Sequence, residues 1–184
     1  MAKQLSNNSI GVLFSSRYTT RSHDTEHPYR QDSNLYYLTG FKEDNSSLVF
    51  VKTKEKVKTV LFVQKKDQLL ELWNGKRLGL SEAKKRFLVD EVYISDEFDE
   101  RAKEYVIGKK HIYCELSSSD KRVKGVLKIS KDFHTHQNIV LIVQRMRLFK
   151  SAAEIDMIKE SIAITAKAHH RAMRSNKIGK HEFE

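Results

Sequence analysis

The chain has 184 residues, of which 39% are hydrophobic, and this suits one domain of ordinary size that buries a core without disulfides or metal. No run approaches the roughly 20 apolar residues of a membrane helix, so the sequence predicts a protein that does not enter the membrane. Residues 1–8 lack the apolar centre of a secretion signal, and the single cysteine, Cys114, cannot form an internal disulfide. We therefore expect a cytoplasmic protein.

The net charge is +10, from 34 Lys and Arg against 24 Asp and Glu. Such a field can attract nucleic acid, anionic membranes or acidic proteins. The basic residues are scattered at the ends and outer faces of apolar segments, and no stacked aromatic-basic motif of the single-strand binders is present. These features favour a solvated basic surface and weigh against a nucleic-acid partner.

The first half of the chain reads as strands separated by a short helix, a loop and a hairpin turn. Gly40 is a helix stop signal after the short helix, and the segment around Trp73 reads as a loop. The predicted elements, in order, are a buried strand at 10–14, a polar loop at 15–29, a short helix at 33–39, and a hairpin of strands at 47–53 and 58–64.

The second half alternates strands and helices, which favours an α/β domain that ends near Arg147. Its first helix is predicted to be capped by Ser81. The predicted elements are helices at 81–87, 97–105 and 120–129, and strands at 92–94, 111–114 and 140–143.

The last segment has a different pattern. Ser151 and Glu154 form a capping box, and apolar residues at helical spacing then predict one helix to about Arg174. The apolar stripe of this helix needs a partner surface. We therefore divide the chain into a domain at 1–147 and a following segment at 148–184. The stripe consists of Ile155, Ile158, Ile162 and Thr165 or Ala166.

Three segments, in register, resemble the Xaa-Pro aminopeptidase (aminopeptidase P) family of the creatinase/prolidase group. They are YRQDSNLYYLTGF at 29–41, ELWNGKRLG at 71–79, and MRLFKSAAEI at 146–155 followed by ITAKAH at 164–169. The resemblance covers nearly the whole chain. It implies an α/β first domain with a mixed sheet flanked by helices, and the last helix resembles the first helix of a second domain with the "pita-bread" fold.

In this family the chemistry resides in the second domain, where two Asp, one His and two Glu bind a pair of divalent metals, commonly two Mn²⁺. Two such metals can generate hydroxide from bound water, and they can stabilise both oxygens that take part in the displacement at the substrate. The family's ligands lie beyond Glu184, so the resemblance implies that this chain carries neither catalytic nor metal-binding residues of its own.

The resemblance also indicates site residues. In oligomeric members the tryptophan of the second segment, here Trp73, reaches into the active-site mouth of a neighbouring subunit, where its ring can pack against the substrate; packing in a core or hinge is an equally weighted alternative. Asn34 stands where the family often has Asp, and the resemblance implies a substrate-binding position in trans from which the charge of that Asp is missing. The residues expected to have structural roles in these motifs are Arg30, Tyr37, Gly40 and Arg77.

Three other patterns have simpler interpretations. His134 and His136 have a spacing that zinc sites use, but an exposed loop is the favoured reading. Cys114 and His111 could form a nucleophile pair, yet side chains three apart on a strand face opposite ways, so a buried thiol is expected. The acidic stretch at 90–104 reads as a solvated helix face.

The sequence thus predicts a positioning and oligomerisation domain of a homo-oligomeric metalloaminopeptidase that acts on peptides with proline at the second position. We expect the chain alone to be inactive. Two alternatives remain open: a stand-alone module that binds protein or nucleic acid, and the product of a truncated gene whose last helix exposes its apolar stripe.

Overall fold

The computed structural model describes residues 1–54, 56–130, 135–181 and 183. The chain divides into two compact units, Met1–Gln144 and Arg145–Glu184, and each is described on its own. The predicted domain boundary after Arg147 stays a prediction. None of the described helices is long and apolar enough to cross a membrane.

The first unit is built on a mixed β-sheet. The strands among the described residues are β1 (Ser9–Phe14), β2 (Thr20–Ser22), β3 (Thr25–Glu26), β4 (Ser47–Lys52), β5 (Val57–Val63), β6 (Glu91–Ile94), β7 (His111–Cys114) and β8 (Thr135–Asn138). Six of them lie in the order β6-β5-β4-β1-β7-β8, and β2 and β3 form a separate ribbon. The α-helices are α1 (Ser33–Thr39), α2 (Gln68–Asn74), α3 (Gly79–Arg86), α4 (Phe98–Val106), α5 (Lys121–Ile129), α6 (Ile139–Leu148) and α7 (Ala152–Ser175).

The sheet combines a hairpin with crossover connections. β4 pairs antiparallel with both β1 and β5, so the predicted hairpin is confirmed. β5–β6, β1–β7 and β7–β8 are parallel pairs, and the two consecutive pairs, β5–β6 and β7–β8, are joined by helical crossovers. The predicted α/β fold with a mixed sheet flanked by helices is therefore confirmed.

Side-chain alternation along the central strands divides the core into two clusters, one on each face of the sheet. Leu61 and Val63 of β5 belong to the cluster that also contains residues of α1, α3 and α6. Val60 and Phe62 of the same strand belong to the cluster that contains residues of α4 and α5. The sheet is thus covered by helices on both faces, which explains the continuous apolar runs of its central strands.

The helix α1 has the predicted bounds. The Asp32 carboxylate accepts hydrogen bonds from the Asn34 and Leu35 amides, at 2.9 and 2.8 Å, and this begins the helix. Gly40 ends it in the left-handed conformation, with φ 72°, where its N–H donates to the Tyr36 carbonyl.

The strand predicted at 140–143 is wrong, because those residues lie in α6. Asn138 accepts a hydrogen bond from the Val140 amide at 3.0 Å, and the buried residues Ile139 and Val143 have the i, i+4 spacing of one helix face. The last strand is instead β8, whose side chains are polar. Its stabilisation comes from hydrogen-bonded pairing with β7.

Two smaller predictions also need correction. The segment at 15–29 is not only loop, because β2 and β3 form a ribbon within it. The helix predicted to be capped by Ser81 begins two residues earlier, at Gly79, and its N-cap, Leu78, has no side-chain cap.

The second unit contains the predicted long helix. In α7, Ser151 accepts from the Glu154 amide at 3.3 Å and Glu154 accepts from the Ser151 amide at 2.7 Å, so the capping box is confirmed. The predicted stripe is solvent-exposed in this unit, with Ile155, Ile158 and Ile162 exposed by 42, 45 and 61%.

Candidate functional site

Trp73 lies on the helix α2 and not in a loop, so the loop predicted here is wrong. The Asp67 carboxylate accepts from the Leu69 and Leu70 amides, both at 3.1 Å, and this begins the helix. Gly75, with φ 86°, follows its end. The residues between Asp67 and Gly75 are mostly good helix formers. Together with these two caps they explain why a helix of seven residues is stable.

The helix α2 presents an apolar face to solvent. Leu69, Leu72 and Trp73 have the i, i+3, i+4 spacing of one face and are exposed by 76, 77 and 83%. None of the seven residues of α2, all of them described, is fully buried. A cluster of large apolar side chains held in water is typical of a surface that contacts another molecule.

The loop after α2 is held by two hydrogen bonds and passes close to the Lys66 side chain at Gly79. Arg77 Nη1 donates to the Lys65 carbonyl at 3.1 Å, and the Leu78 amide donates to Glu43 Oε1 at 2.7 Å. Gly79 has φ 71°, and a Cβ there would lie 2.9 Å from the Lys66 side chain. The motif around Trp73 therefore needs both its arginine and its glycine to keep this loop close to β5.

The other predicted site residues surround α1. Asn34 is the second residue of the helix. Tyr37 packs against the core cluster that contains residues of α1, α3 and α6. Arg30 Nη2 donates to the Ser33 hydroxyl at 3.3 Å on the surface.

A cavity of about 610 Å³ opens where the parallel strands β1 and β7 end. Asn34 lines it and Trp73 does not, so the two predicted substrate-binding residues are not brought together within one chain. Crevices at the carboxyl ends of parallel strands are common ligand sites in α/β proteins. The polar lining includes Ser15, Arg17, Asp32, Asn34, Glu115, Asp120 and Lys121.

The cavity contains acidic groups with different protonation behaviour. Burial raises the pKa of Glu115, and the nearby carboxylates Asp32 and Asp120 raise it further. Burial also acts to raise the pKa of Asp120, but hydrogen bonds from Arg122 outweigh it and leave that pKa below its ordinary value. The sequence does not mark Glu115, Asp120 or Arg122 as site residues, because they match no motif and only the fold brings the segment after β7 to Ser15 at the end of β1.

The patterns with simpler interpretations can now be located. Cys114 is fully buried, so the predicted buried thiol is confirmed, and burial raises its pKa to about 11. His111 Nδ1 bonds with the Thr135 hydroxyl at 2.5 Å and His136 Nε2 with the Ser130 hydroxyl at 3.1 Å. His134 lies outside the described residues. Among the described residues, no three His, Cys, Asp or Glu are grouped to hold a metal ion.

The chain is similar over its whole length to known Xaa-Pro aminopeptidases. It is 33% identical to the Xaa-Pro aminopeptidase of Haemophilus influenzae over 98% of this chain and 42% of that protein. Its fold matches proline aminopeptidase P II from Yersinia pestis, with a TM-score of 0.92 and 32% identity. It also matches Escherichia coli aminopeptidase P with the inhibitor Pro-Leu, with a TM-score of 0.91 and 29% identity.

Both structural matches cover 99% of this chain and 44% of the other chain, so this chain spans less than half the length of the relatives it matches. The sequence profile described as aminopeptidase P, N-terminal domain, matches residues 1–113, which is more than half of the chain. The chain therefore belongs to the aminopeptidase P N-terminal domain family.

Proposed function

We propose that this chain serves as the amino-terminal positioning and oligomerisation domain of a larger, cytoplasmic Xaa-Pro aminopeptidase, which removes the residue preceding proline from peptides. The match to the amino-terminal domain of this family carries the proposal. The E. coli relative with the inhibitor Pro-Leu supports a peptide ligand for the parent enzyme.

Trp73 is the residue that we assign to substrate contact in trans. Its ring is 83% exposed on a helix capped at both ends, so it is available to another subunit without unfolding its own. An aromatic plane of this kind packs well against a proline ring or an extended peptide. Asn34, on the cavity at the ends of β1 and β7, is assigned to a separate contact near substrate entry.

The metal chemistry belongs elsewhere in the parent. The described residues do not offer the clustered carboxylates and histidine that a pair of Mn²⁺ ions needs. We therefore assign the two Mn²⁺ to the parent's catalytic domain and derive no catalytic step from this chain.

A chimera tests the proposal. In it, this chain replaces the matching 44% of the E. coli enzyme. With Mn²⁺ and a peptide that has proline second, we expect the chimera to be active and the isolated chain to be inactive. Trp73→Ala in the chimera is expected to lower kcat/KM about tenfold, because one aromatic contact to the substrate is lost.

Leu88→Ala is the matched control, since Leu88 is also a fully exposed apolar side chain but lies outside the α2 face. Hydrolysis by the isolated chain would contradict the non-catalytic role. Equal kcat/KM for the Trp73→Ala and Leu88→Ala chimeras would contradict the role of Trp73.

A further inference from the structure

Two glutamates beside the loop that follows α2 each leave one carboxylate oxygen unsatisfied. Glu43 uses Oε1 to accept from the Leu78 amide, whereas its Oε2 is buried. Glu71, on α2 itself, has a buried Oε1. Neither buried oxygen has a hydrogen-bond partner among the described residues. A buried acceptor without a hydrogen-bond donor is unfavourable, so a donor to either oxygen would stabilise the structure.

The charges around Glu43 favour uptake of a proton. Burial raises its pKa, and the negative charges of Asp44 and Glu71 raise it further. The hydrogen bond from the Leu78 amide and the positive charge of Arg77 act in the opposite direction but do not restore the ordinary value of 4.5. The Arg77 guanidinium is also engaged by the Lys65 carbonyl.

We propose that Glu43 and Glu71 form a proton-dependent latch for α2, in which Glu43 takes up one proton from solvent on Oε2 and the resulting O–H donates to Oε1 of Glu71. One proton then satisfies both buried oxygens and removes the repulsion between the two carboxylates. Glu71 lies two residues before Trp73, so the latch fixes the part of α2 that carries the exposed aromatic ring.

The latch has a defined pH direction. A carboxyl group whose pKa is raised by folding stabilises the structure while it is protonated and loses that contribution as pH rises through its folded pKa. The latch therefore stabilises the helix α2 at low pH. This stabilisation is lost as pH rises, with a midpoint above 4.5. Between the ordinary pKa of Glu43 in the open form and its raised pKa in the closed form, one proton changes the ratio of open to closed forms by about tenfold per pH unit. Since α2 has no fully buried residue, the latch acts on a helix with little core packing to hold it.

Trp73 provides the test, because it is the only tryptophan of the chain. We would measure the anisotropy of Trp73 fluorescence in the full chain from about pH 4 to about pH 8, a range that spans raised glutamate pKa values. The anisotropy is expected to fall as pH rises, with a midpoint above 4.5, because the ring moves more freely when α2 is no longer held.

Glu43→Gln and Glu71→Gln each supply an amide N–H₂ in place of the proposed O–H donor, so each is expected to abolish the transition and to keep the anisotropy high at every pH. If one variant does not fold, the other gives the result. Glu104→Gln, an exposed acid on α4, is the matched control and is expected to keep the wild-type profile.

A wild-type profile that is flat above pH 4.5, or a transition that both glutamine variants retain, would overturn the latch. Loss of the far-UV circular dichroism of the whole chain over the same range would also overturn it, because the opening would then be global. None of these measurements uses peptidase activity, so failure of the latch is distinguishable from failure of the proposed function.

Discussion

Cys114 lies at the end of β7, in the core cluster between the sheet and the helices α4 and α5. Its thiol is fully buried and its pKa is raised to about 11, so almost no thiolate exists at neutral pH. We expect iodoacetamide at about pH 8 to leave the native chain unmodified and to label it only in urea, as read by mass spectrometry.

A chain that carries Ser119→Cys is the comparison for this experiment, because Ser119 is exposed in the loop before α5. The added thiol should react at once in the native state, while Cys114 does not. Native labelling of Cys114 at the rate of the added cysteine would show that β7 is accessible and would contradict its position in the core.

Burial of Cys114 was predictable from the apolar residues beside it, whereas the roles of Glu43 and Arg122 were not. Glu43 accepts from Leu78, 35 residues away, and Arg122 donates to Ser15, 107 residues away. Local sequence carries no signal for partners at such distances. The candidate site was therefore predictable as motifs, but not as a set of contacts.

At the scale of elements, α2 depends on Asp67. Its carboxylate satisfies two amides at the start of a helix that buries none of its described residues. We expect Asp67→Ala to cost about 1 kcal/mol of local helix stability, which corresponds to roughly fivefold faster amide exchange within α2. Hydrogen exchange followed by mass spectrometry, with peptides that cover residues 68–74, measures this at one fixed pH.

Asp24→Ala removes an exposed acid from the loop between β2 and β3 and is the matched control. It should leave exchange in α2 unchanged. Global unfolding by urea should be the same for both variants, because the core clusters do not include α2. Unchanged exchange in Asp67→Ala would show that the cap is not what maintains the helix.

The apolar run at 140–143 shows why one element type was predicted wrongly. Four consecutive β-branched and aliphatic residues fit a buried strand or a buried helix, and periodicity cannot separate the two over so short a length. Asn138 ends the strand before this run and caps the helix that contains it. Pairing of β8 with β7 then decides which residues belong to the sheet.

At the scale of the whole molecule, Arg122 joins the segment that follows β1 to the segment that follows β7. Its guanidinium donates to Asp120 Oδ2 at 2.7 Å and to the Ser15 carbonyl at 2.6 Å, and it lies 4.8 Å from the centre of the Phe14 ring. We expect Arg122→Met to lower the free energy of unfolding by about 2 to 3 kcal/mol at neutral pH, because it removes charge-assisted hydrogen bonds. Urea titration measures the difference.

The effect should depend on pH. The lowered pKa of Asp120 means that its contribution is present above the ordinary value of 3.8 and is lost as pH falls through the folded pKa, so the two proteins should converge in acid. Arg86→Met, which removes an exposed ion pair within α3, should cost less than about 0.5 kcal/mol. Equal costs for the two variants would contradict the role assigned to Arg122.

The sequence by itself determined the α/β class, the central hairpin, the bounds of α1, the capping box of α7 and the family. All of these depend on patterns within a few residues or on motifs in register. Such patterns can be recognised in the sequence without knowledge of the tertiary contacts. Only the tertiary structure decided that Trp73 lies on an exposed helix, that 140–143 is helical, and that Glu43 and Glu71 each bury an unpaired oxygen. The helix of Trp73 begins at a local cap, but its exposure depends on which elements pack against it. The other two features depend on strand pairing and on hydrogen bonds between distant residues, whose free energy exceeds the local propensities that a sequence displays.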